Sequence, residues 1–377
     1  MTNHQLKVAA QQILEENILR FWSERMVDNE QGGFYGRIDG NNILHPQAEK
    51  GAVLNARILW TYASATRILH RMPYRILAAR AKDYLLTHFI DPQYGGVYWS
   101  LNADGTPLDS KKQTYAIAFA IYGFAEYHRA TGDKEALELA IRLFEDIEAH
   151  AFDAVNVGYI EALTRDWQPI ADMRLSESDE NGSRTMNTHL HVLEAYTNLY
   201  RVWKDERVAR QLRVLISIFV NRLFNPANGH LDLFFDDEWQ GRRDKTSPGH
   251  DIEAAWLLRE ALLVLGDQEL LQQTLPVCRR LAVAARDGIL KETQWWCYAE
   301  AVVGYVDQYQ DIHDPHQWQM AEKALAFIES HLLDREQGEW YWSVLPDGTP
   351  DRDNDKAGFW KCPYHNSRMC YELIERL

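Results

Sequence analysis

Apolar residues recur with a period near 3.6 along most of the chain, the spacing that gathers them on one face of an α-helix. The pattern predicts helices near residues 4–26, 48–70, 73–90, 111–131, 133–151, 184–204, 206–224, 249–265, 267–286, 292–310, 315–333 and 363–376. These twelve segments alternate between two kinds. The even ones are small and apolar nearly all round, as in Gly51-Ala52-Val53-Leu54-Asn55-Ala56-Arg57, Tyr115-Ala116-Ile117-Ala118-Phe119-Ala120 and Ile252-Glu253-Ala254-Ala255-Trp256. A helix apolar on every face is a buried helix. The odd ones keep their charges on one stripe, as in Lys134-Glu135-Ala136-Leu137-Glu138-Leu139-Ala140. Even helices therefore form an inner layer and odd helices an outer one.

The breaks between helices repeat as well. Glycine-led turns, mostly followed by large aromatic or aliphatic residues, occur at Gly32-Gly33-Phe34-Tyr35, Gly95-Gly96-Val97-Tyr98, Gly158-Tyr159, Gly229-His230-Leu231, Asp287-Gly288-Ile289 and Gly338-Glu339-Trp340-Tyr341. Their spacing of roughly 50–70 residues is that of a toroid or array. Gly132-Asp133 and Gly266-Asp267 are short breaks that stop one helix and cap the next. Asp104-Gly105 and Asp347-Gly348 have the form of hairpin tips. Tight turns follow even helices and longer segments follow odd ones, which places the long loops at one end of a ring. The expected fold is all-α, an (α/α)6 barrel or six-hairpin helical toroid, spanning 1–377 as one domain. Its site lies at the loop-bearing mouth, where loops on a rigid scaffold carry chemistry.

Composition narrows the partners. The net charge of −15 argues against nucleic acid and anionic membranes. No stretch approaches eighteen uninterrupted apolar residues, so no membrane span is expected. The start, Met1-Thr2-Asn3-His4-Gln5-Leu6, lacks the basic and apolar regions of a secretory leader. Cys278, Cys297, Cys362 and Cys370 have no paired spacing and read as free thiols in a reducing, cytoplasmic setting. Thirteen Trp residues suit both a large helical core and a sugar-binding surface.

Several polar residues do not belong in a buried ring. His250 and Glu253 stand at i and i+3 at the start of an inner helix and share a face, and Asp251 lies where it can cap or brace that start. Asn187, His191 and Glu194 fall at i, i+4 and i+7, whereas His189 is turned about 200° from His191 at 3.6 residues per turn. His189 and His191 therefore cannot chelate one ion, and no metal site is expected. Pro363 fits the first turn of the last helix, which sets His365 near the mouth. Arg57 is a cation among small apolar neighbours and calls for a carboxylate partner or an anion formed during reaction. Tyr115, Trp295, Trp296 and Glu300 complete the set, with Trp296 and Glu300 at i and i+4. Imidazoles can accept and return a proton at neutral pH. Proton abstraction next to a carbonyl would use all three groups: a base, an acid, and a cation for the enediolate oxygens. Glycosidic hydrolysis needs two carboxylates, for which Glu253, Glu300 or Asp251 could serve, but it leaves the histidines without a role.

The phrases Trp360-Lys361-Cys362-Pro363-Tyr364-His365-Asn366 with Arg368-Met369-Cys370, Gly249-His250-Asp251-Ile252-Glu253-Ala254, Thr185-Met186-Asn187 with His191, and Lys50-Gly51 with Arg57 closely resemble the N-acylglucosamine 2-epimerase superfamily. The C-terminal phrase is most similar to the cellobiose 2-epimerases within it. The resemblance covers the whole chain and implies an (α/α)6 barrel that inverts C2 of the reducing-end glucose of β-1,4 disaccharides without a cofactor. It implies His250 and His365 as the acid/base pair, His191 as the histidine assisting ring opening, and Arg57 as the holder of the enediolate. Tyr115, Asn187, Glu253, Trp296 and Trp360 are implied as substrate contacts, and Glu300 joins them by its spacing from Trp296. The segment before Trp295 is shorter than is usual in the family. The expected partner is a small sugar, bound by a monomer. A mannose 2-epimerase or aldose–ketose isomerase, a hydrolase of the same toroid, and a non-catalytic sugar-binding protein are the alternatives.

Overall fold

A computed structural model of the protein describes residues 1–241 and 245–377. Among the described residues, twelve helical rods follow the predicted order. Helix α1 is built from Asn3–Gln12, Ile13–Leu19 and Arg20–Arg25. Then come α2 (Ala52–Leu69), α3 (Met72–Tyr84 with Leu85–Phe89), α4 (Thr114–Thr131), α5 (Lys134–His150) and α6 (Met186–Val202). The second half comprises α7 (Glu206–Ile218 with Phe219–Leu223), α8 (Pro248–Leu265), α9 (Gln268–Ile289), α10 (Trp295–Ile312), α11 (Pro315–Phe327 with Ile328–Leu332) and α12 (His365–Arg376). Among the described residues no helix is long and apolar enough to cross a membrane.

The even helices pack in a closed ring, α2 on α4, α6, α8, α10 and α12 in turn, with α12 back on α2. Their residues are buried on nearly every face, from Ala52 through Thr66 in α2 and from Thr114 through Tyr127 in α4. The outer helices bury one stripe, as Leu139, Leu143 and Ile147 do in α5. Close approach within the ring depends on small residues: a Cβ on Gly304 would lie 3.0 Å from the Ile252 carbonyl of the neighbouring helix. Gly132 and Gly266 end α4 and α8 in the left-handed conformation, and Asp133 and Asp267 cap the helices that follow. The short breaks thus have the form the sequence predicts.

At the mouth, the loops after the outer helices repeat one device. Asp28, Asp91, Asp153 and Asp334 each accept two backbone N–H bonds from the turn that follows through Oδ1. Through Oδ2 each receives a buried cation: Lys50 at 2.8 Å, Lys112 at 2.9 Å, Arg184 at 2.5 Å, and Lys356. Lys50, Lys112 and Arg184 stand just ahead of α2, α4 and α6, so each pair ties an outer loop to the start of an inner helix. Short antiparallel pairings link each start to the next loop, with Lys50 opposite Leu101, Lys112 opposite Leu163 and Arg184 opposite Phe235. Gln294 opposite Ser343 continues the series, and Ile38 opposite Ala357 joins the first long loop to the last. These pairings explain why α2 and α4 begin later than periodicity predicts, because their first predicted turns are strand. At the far end, ion pairs such as Arg67–Glu126, Arg259–Asp307 and Arg376–Asp307 knit the inner helices together.

Two expectations need correction. Asp287-Gly288-Ile289 is the last turn of α9 and not a loop turn; only residues 290–294 separate α9 from α10. The other five glycine-led turns do follow outer helices. Pro363 lies ahead of α12, which begins at His365.

Candidate active site

A cavity of about 340 Å³ opens at the mouth between the starts of the inner helices. It is lined by Arg57, Tyr115, Asn187, His191, His250, Glu253, Trp295, Trp296, Trp360 and His365, all singled out by sequence. They come from α2, α4, α6, α8, α10 and the approach to α12, so no two neighbouring repeats could build the site alone.

Three histidines enter in the same way. His191 bonds Glu194 Oε2 through Nδ1 at 2.9 Å, His250 bonds Ser247 Oγ at 2.7 Å, and His365 bonds Glu300 Oε1 at 2.7 Å. Among the described residues the Nε2 of each has no protein partner, and each ring lines the cavity. A fixed Nδ1 sets ring orientation and leaves the other nitrogen for chemistry. Burial pushes His250 down to about 3 and His191 down to about 4, although Glu194 opposes the shift in His191. Burial, followed by the charges of Arg57 and Arg368, holds His365 well below the usual histidine range. At neutral pH the cavity therefore presents neutral imidazoles, able to accept protons.

Local sequence explains the placement of His250. Ser247 caps α8 and Pro248 occupies its first turn. Gly249 lies against Trp296, where a Cβ would come within 2.7 Å of the indole. The His250 ring is therefore free to pack on Trp296, with centroids 4.7 Å apart, and His365 lies against the same indole at 5.6 Å. His189 points outward, as helical geometry predicts. Its Nδ1 bonds the Thr185 carbonyl and its Nε2 accepts from the Tyr159 amide.

Arg57 has no carboxylate partner among the described residues. Its Nη2 donates to Tyr115 Oη at 2.8 Å and its Nη1 to Cys362 Sγ at 3.3 Å, and Nε is unpartnered. The guanidinium packs against Phe119 and Tyr364, 4.1 and 4.4 Å from the ring centres. Aromatic faces steady a buried cation without neutralising it. Arg57 can therefore stabilise an anion formed in the cavity.

Glu300, expected as a substrate contact, does not line the cavity. It stands behind His365, and it also accepts from Arg368 at 2.6 Å and Trp256 Nε1 at 3.0 Å. The i, i+4 spacing placed it on the face of Trp296 but one layer deeper. Asp251 faces the outer loop, bonded to His230 Nδ1 and the Leu231 amide. Two of the carboxylates that hydrolysis could recruit are thus engaged outside the cavity. Glu253 lines it, with Oε1 on Arg368 at 2.6 Å and Oε2 unpartnered. Burial and the neighbouring Glu300 charge push its carboxyl up to about 8. Glu253, Glu300 and His365 come close enough to group around an ion, but the Arg368 guanidinium already bonds both carboxylates.

Leu175, Ser176, Ser178, Asp179, Gln294 and Trp342 also line the cavity. The first four lie on a polar loop whose sequence has no periodicity to place it. Trp342 carried one usable signal, its alternation with Trp340 beyond the Gly338 turn. Lys361 and Asn366 of the C-terminal phrase turn away, both onto Glu339 at 2.6 Å.

The family profile described as N-acylglucosamine 2-epimerase (GlcNAc 2-epimerase) matches residues 33–368. The chain is 54% identical to a cellobiose 2-epimerase of Bacteroides fragilis, with 98% of each chain covered. It is 40% identical to a cellobiose 2-epimerase of Ruminococcus albus, with 97% of each covered. Among solved structures it is similar to a cellobiose 2-epimerase from Bacillus thermoamylovorans. That likeness has a TM-score of 0.94 at 37% identity and covers 99% of this chain and 100% of the other.

Proposed function

The chain belongs to the N-acylglucosamine 2-epimerase family, and from that premise we propose that it inverts C2 of the reducing-end glucose of β-1,4 disaccharides, converting cellobiose to glucosyl-mannose. The observation that carries this reading is the meeting of neutral imidazoles, each with one nitrogen fixed, with a buried arginine that lacks a counter-ion among the described residues.

In this reading His191 assists opening of the sugar ring. One of His250 and His365 takes the C2 proton of the open-chain aldose, and the electrons pass onto the carbonyl oxygen as an enediolate. Arg57 stabilises that oxygen, a fixed charge worth about 10²–10³-fold. The other histidine, carrying its proton on the free Nε2, gives that proton to the opposite face, and the ring closes on the C2 epimer. Tyr115, Asn187, Glu253, Trp296 and Trp360 hold the sugar. Proton transfer between imidazoles calls on neither metal nor nucleotide, so turnover should survive EDTA and dialysis. The protein acts as a monomer on a small sugar, and its four buried free thiols suit the cytoplasm.

One observation favours a second reading. The connection of residues 290–294 is short where a second sugar could be touched, which suits a mannose epimerase or isomerase. Incubation with cellobiose, lactose, glucose and mannose, without metal or nucleotide, decides between them. A kcat/KM for mannose above that for cellobiose would establish the monosaccharide reading.

A further inference from the structure

A small side chamber of about 70 Å³ adjoins the main cavity and shares His250, Asn187 and Asp179 with it. Its inner wall includes Glu161, and Arg174, Glu180 and Gly182 form its half-buried outer side. Glu161 is unlike the other buried glutamates near the cavity. Glu194, Glu253 and Glu300 all bond Arg368, whereas Glu161 is met by hydroxyls alone, from Thr185 at 2.8 Å and from Thr188. It has no ion-pair partner among the described residues. A glutamine would satisfy both hydroxyls with no charge to desolvate. What a glutamate adds is the ability to bind and release a proton.

Proton exchange fits a need of the reaction proposed above. If one histidine takes the C2 proton and the other supplies its replacement, each turnover ends with a proton moved across the pair. The histidine that gained it must lose it, and the one that gave it must regain one, before the next substrate reacts. His365 lies beside the open cavity, whereas His250 lies between the cavity and the chamber. The chamber has room for a few water molecules between polar walls.

We propose that Glu161 is the proton reservoir that resets His250 between turnovers, through water in the side chamber that both residues line. In one direction the His250 imidazolium gives its proton through water to the Glu161 carboxylate, which later releases it to solvent past Arg174 and Glu180. In the other direction the Glu161 carboxyl replaces, through the same water, the Nε2 proton that neutral His250 has given to C2. Burial pushes the Glu161 carboxyl up to about 7, with the nearby Asp179 charge adding to the shift and the two threonine hydroxyls opposing it. The group can therefore exchange a proton near neutral pH. Of the other charged groups facing the chamber, Arg174 is paired with Asp172 and Glu180 with Lys245, while Asp179 accepts from the Ser176 amide and hydroxyl. Glu161 touches no reacting atom, so its role is positional and rests on the two-histidine reading.

The test is cellobiose turnover by the wild type and Glu161→Gln at fixed pH and ionic strength, as imidazole buffer is raised from dilute to concentrated. In dilute buffer kcat of the variant should fall about tenfold, less than the about 10²–10⁴-fold of a group in direct contact with substrate. KM should be unchanged, and imidazole should restore kcat because a diffusible base replaces the missing one. Glu161→Asp, which keeps an acid, should retain most of the turnover and gives a second reading if the Gln variant melts early. Wild-type kcat in Glu161→Gln at every buffer concentration, or a loss that imidazole does not relieve, would overturn the reservoir. A wild type that does not epimerise cellobiose would instead refute the reading on which it rests.

Discussion

Two arginines are buried in the inner ring in opposite surroundings. Arg368 bonds three carboxylates, Glu194, Glu253 and Glu300, the last two at 2.6 Å. Arg57 bonds a phenol and a thiol and packs against aromatic rings, with no carboxylate partner among the described residues. Both contact Tyr364, whose ring centre is 4.3 Å from the Arg368 guanidinium and 4.4 Å from that of Arg57. A buried cation without a counter-ion destabilises the fold, so Arg57 points to use and Arg368 to architecture. Arg368 gathers the carboxylates that orient His191 and His365. Arg57 retains its positive field for the cavity.

The largest effect that separates them is on stability. Arg368→Met leaves three carboxyls with no cation, and breaking such a buried network costs about 3–5 kcal/mol. Urea unfolding should show that loss, and a change below about 1 kcal/mol would mean that the three carboxyls do not depend on this cation. Arg57→Gln should do the reverse. It should lower kcat by about 10²–10³-fold, the worth of a fixed charge on a developing oxyanion. Unfolding should be unchanged or slightly harder, because an uncompensated charge has left the core. An Arg57→Gln variant that loses stability and keeps its turnover would reverse the assignment.

A smaller effect tests the carboxylate side through pH. Glu253 is raised from its usual 4.5 to about 8, so the folded state holds a proton that the unfolded chain releases. The favourable contribution of that proton is complete below about 4.5 and is lost as pH rises through about 8. Glu253→Gln mimics the protonated form, so its stability relative to wild type should climb between pH 5 and 8 in paired unfolding series. A flat difference would place the proton elsewhere. His189→Ala should have the smallest effect on turnover, well below any cavity histidine, because its ring braces the Thr185 carbonyl and the Tyr159 amide.

The same contrast shows what a sequence can reveal. Inner and outer helices were legible because burial on all faces and burial on one face leave different patterns, and five of the six glycine-led turns marked real loops. Asp287-Gly288 misled because glycine also occurs inside helices, and no local signal separates Gly288 from Gly95. The Asp28–Lys50 type of tie between loop and helix start was not legible, since its partners are common residues 21 to 31 positions apart. Helical spacing correctly turned His189 away from His191. It could not set depth, which is why Glu300 was placed on the cavity and not behind His365. Asp179 sits on a polar loop that only the completed ring holds over the cavity.

The central claim is that one histidine takes the C2 proton and a second, on the other side of C2, supplies its replacement while Arg57 holds the enediolate. The most direct measurement is epimerisation of cellobiose in D2O by the wild type, His250→Asn and His365→Asn, following C2 by NMR. The account predicts solvent deuterium at C2 of the wild-type epimer and a loss of about 10²–10⁴-fold in epimerisation rate for each variant with the fold intact. Near-wild-type epimerisation by both variants would contradict it.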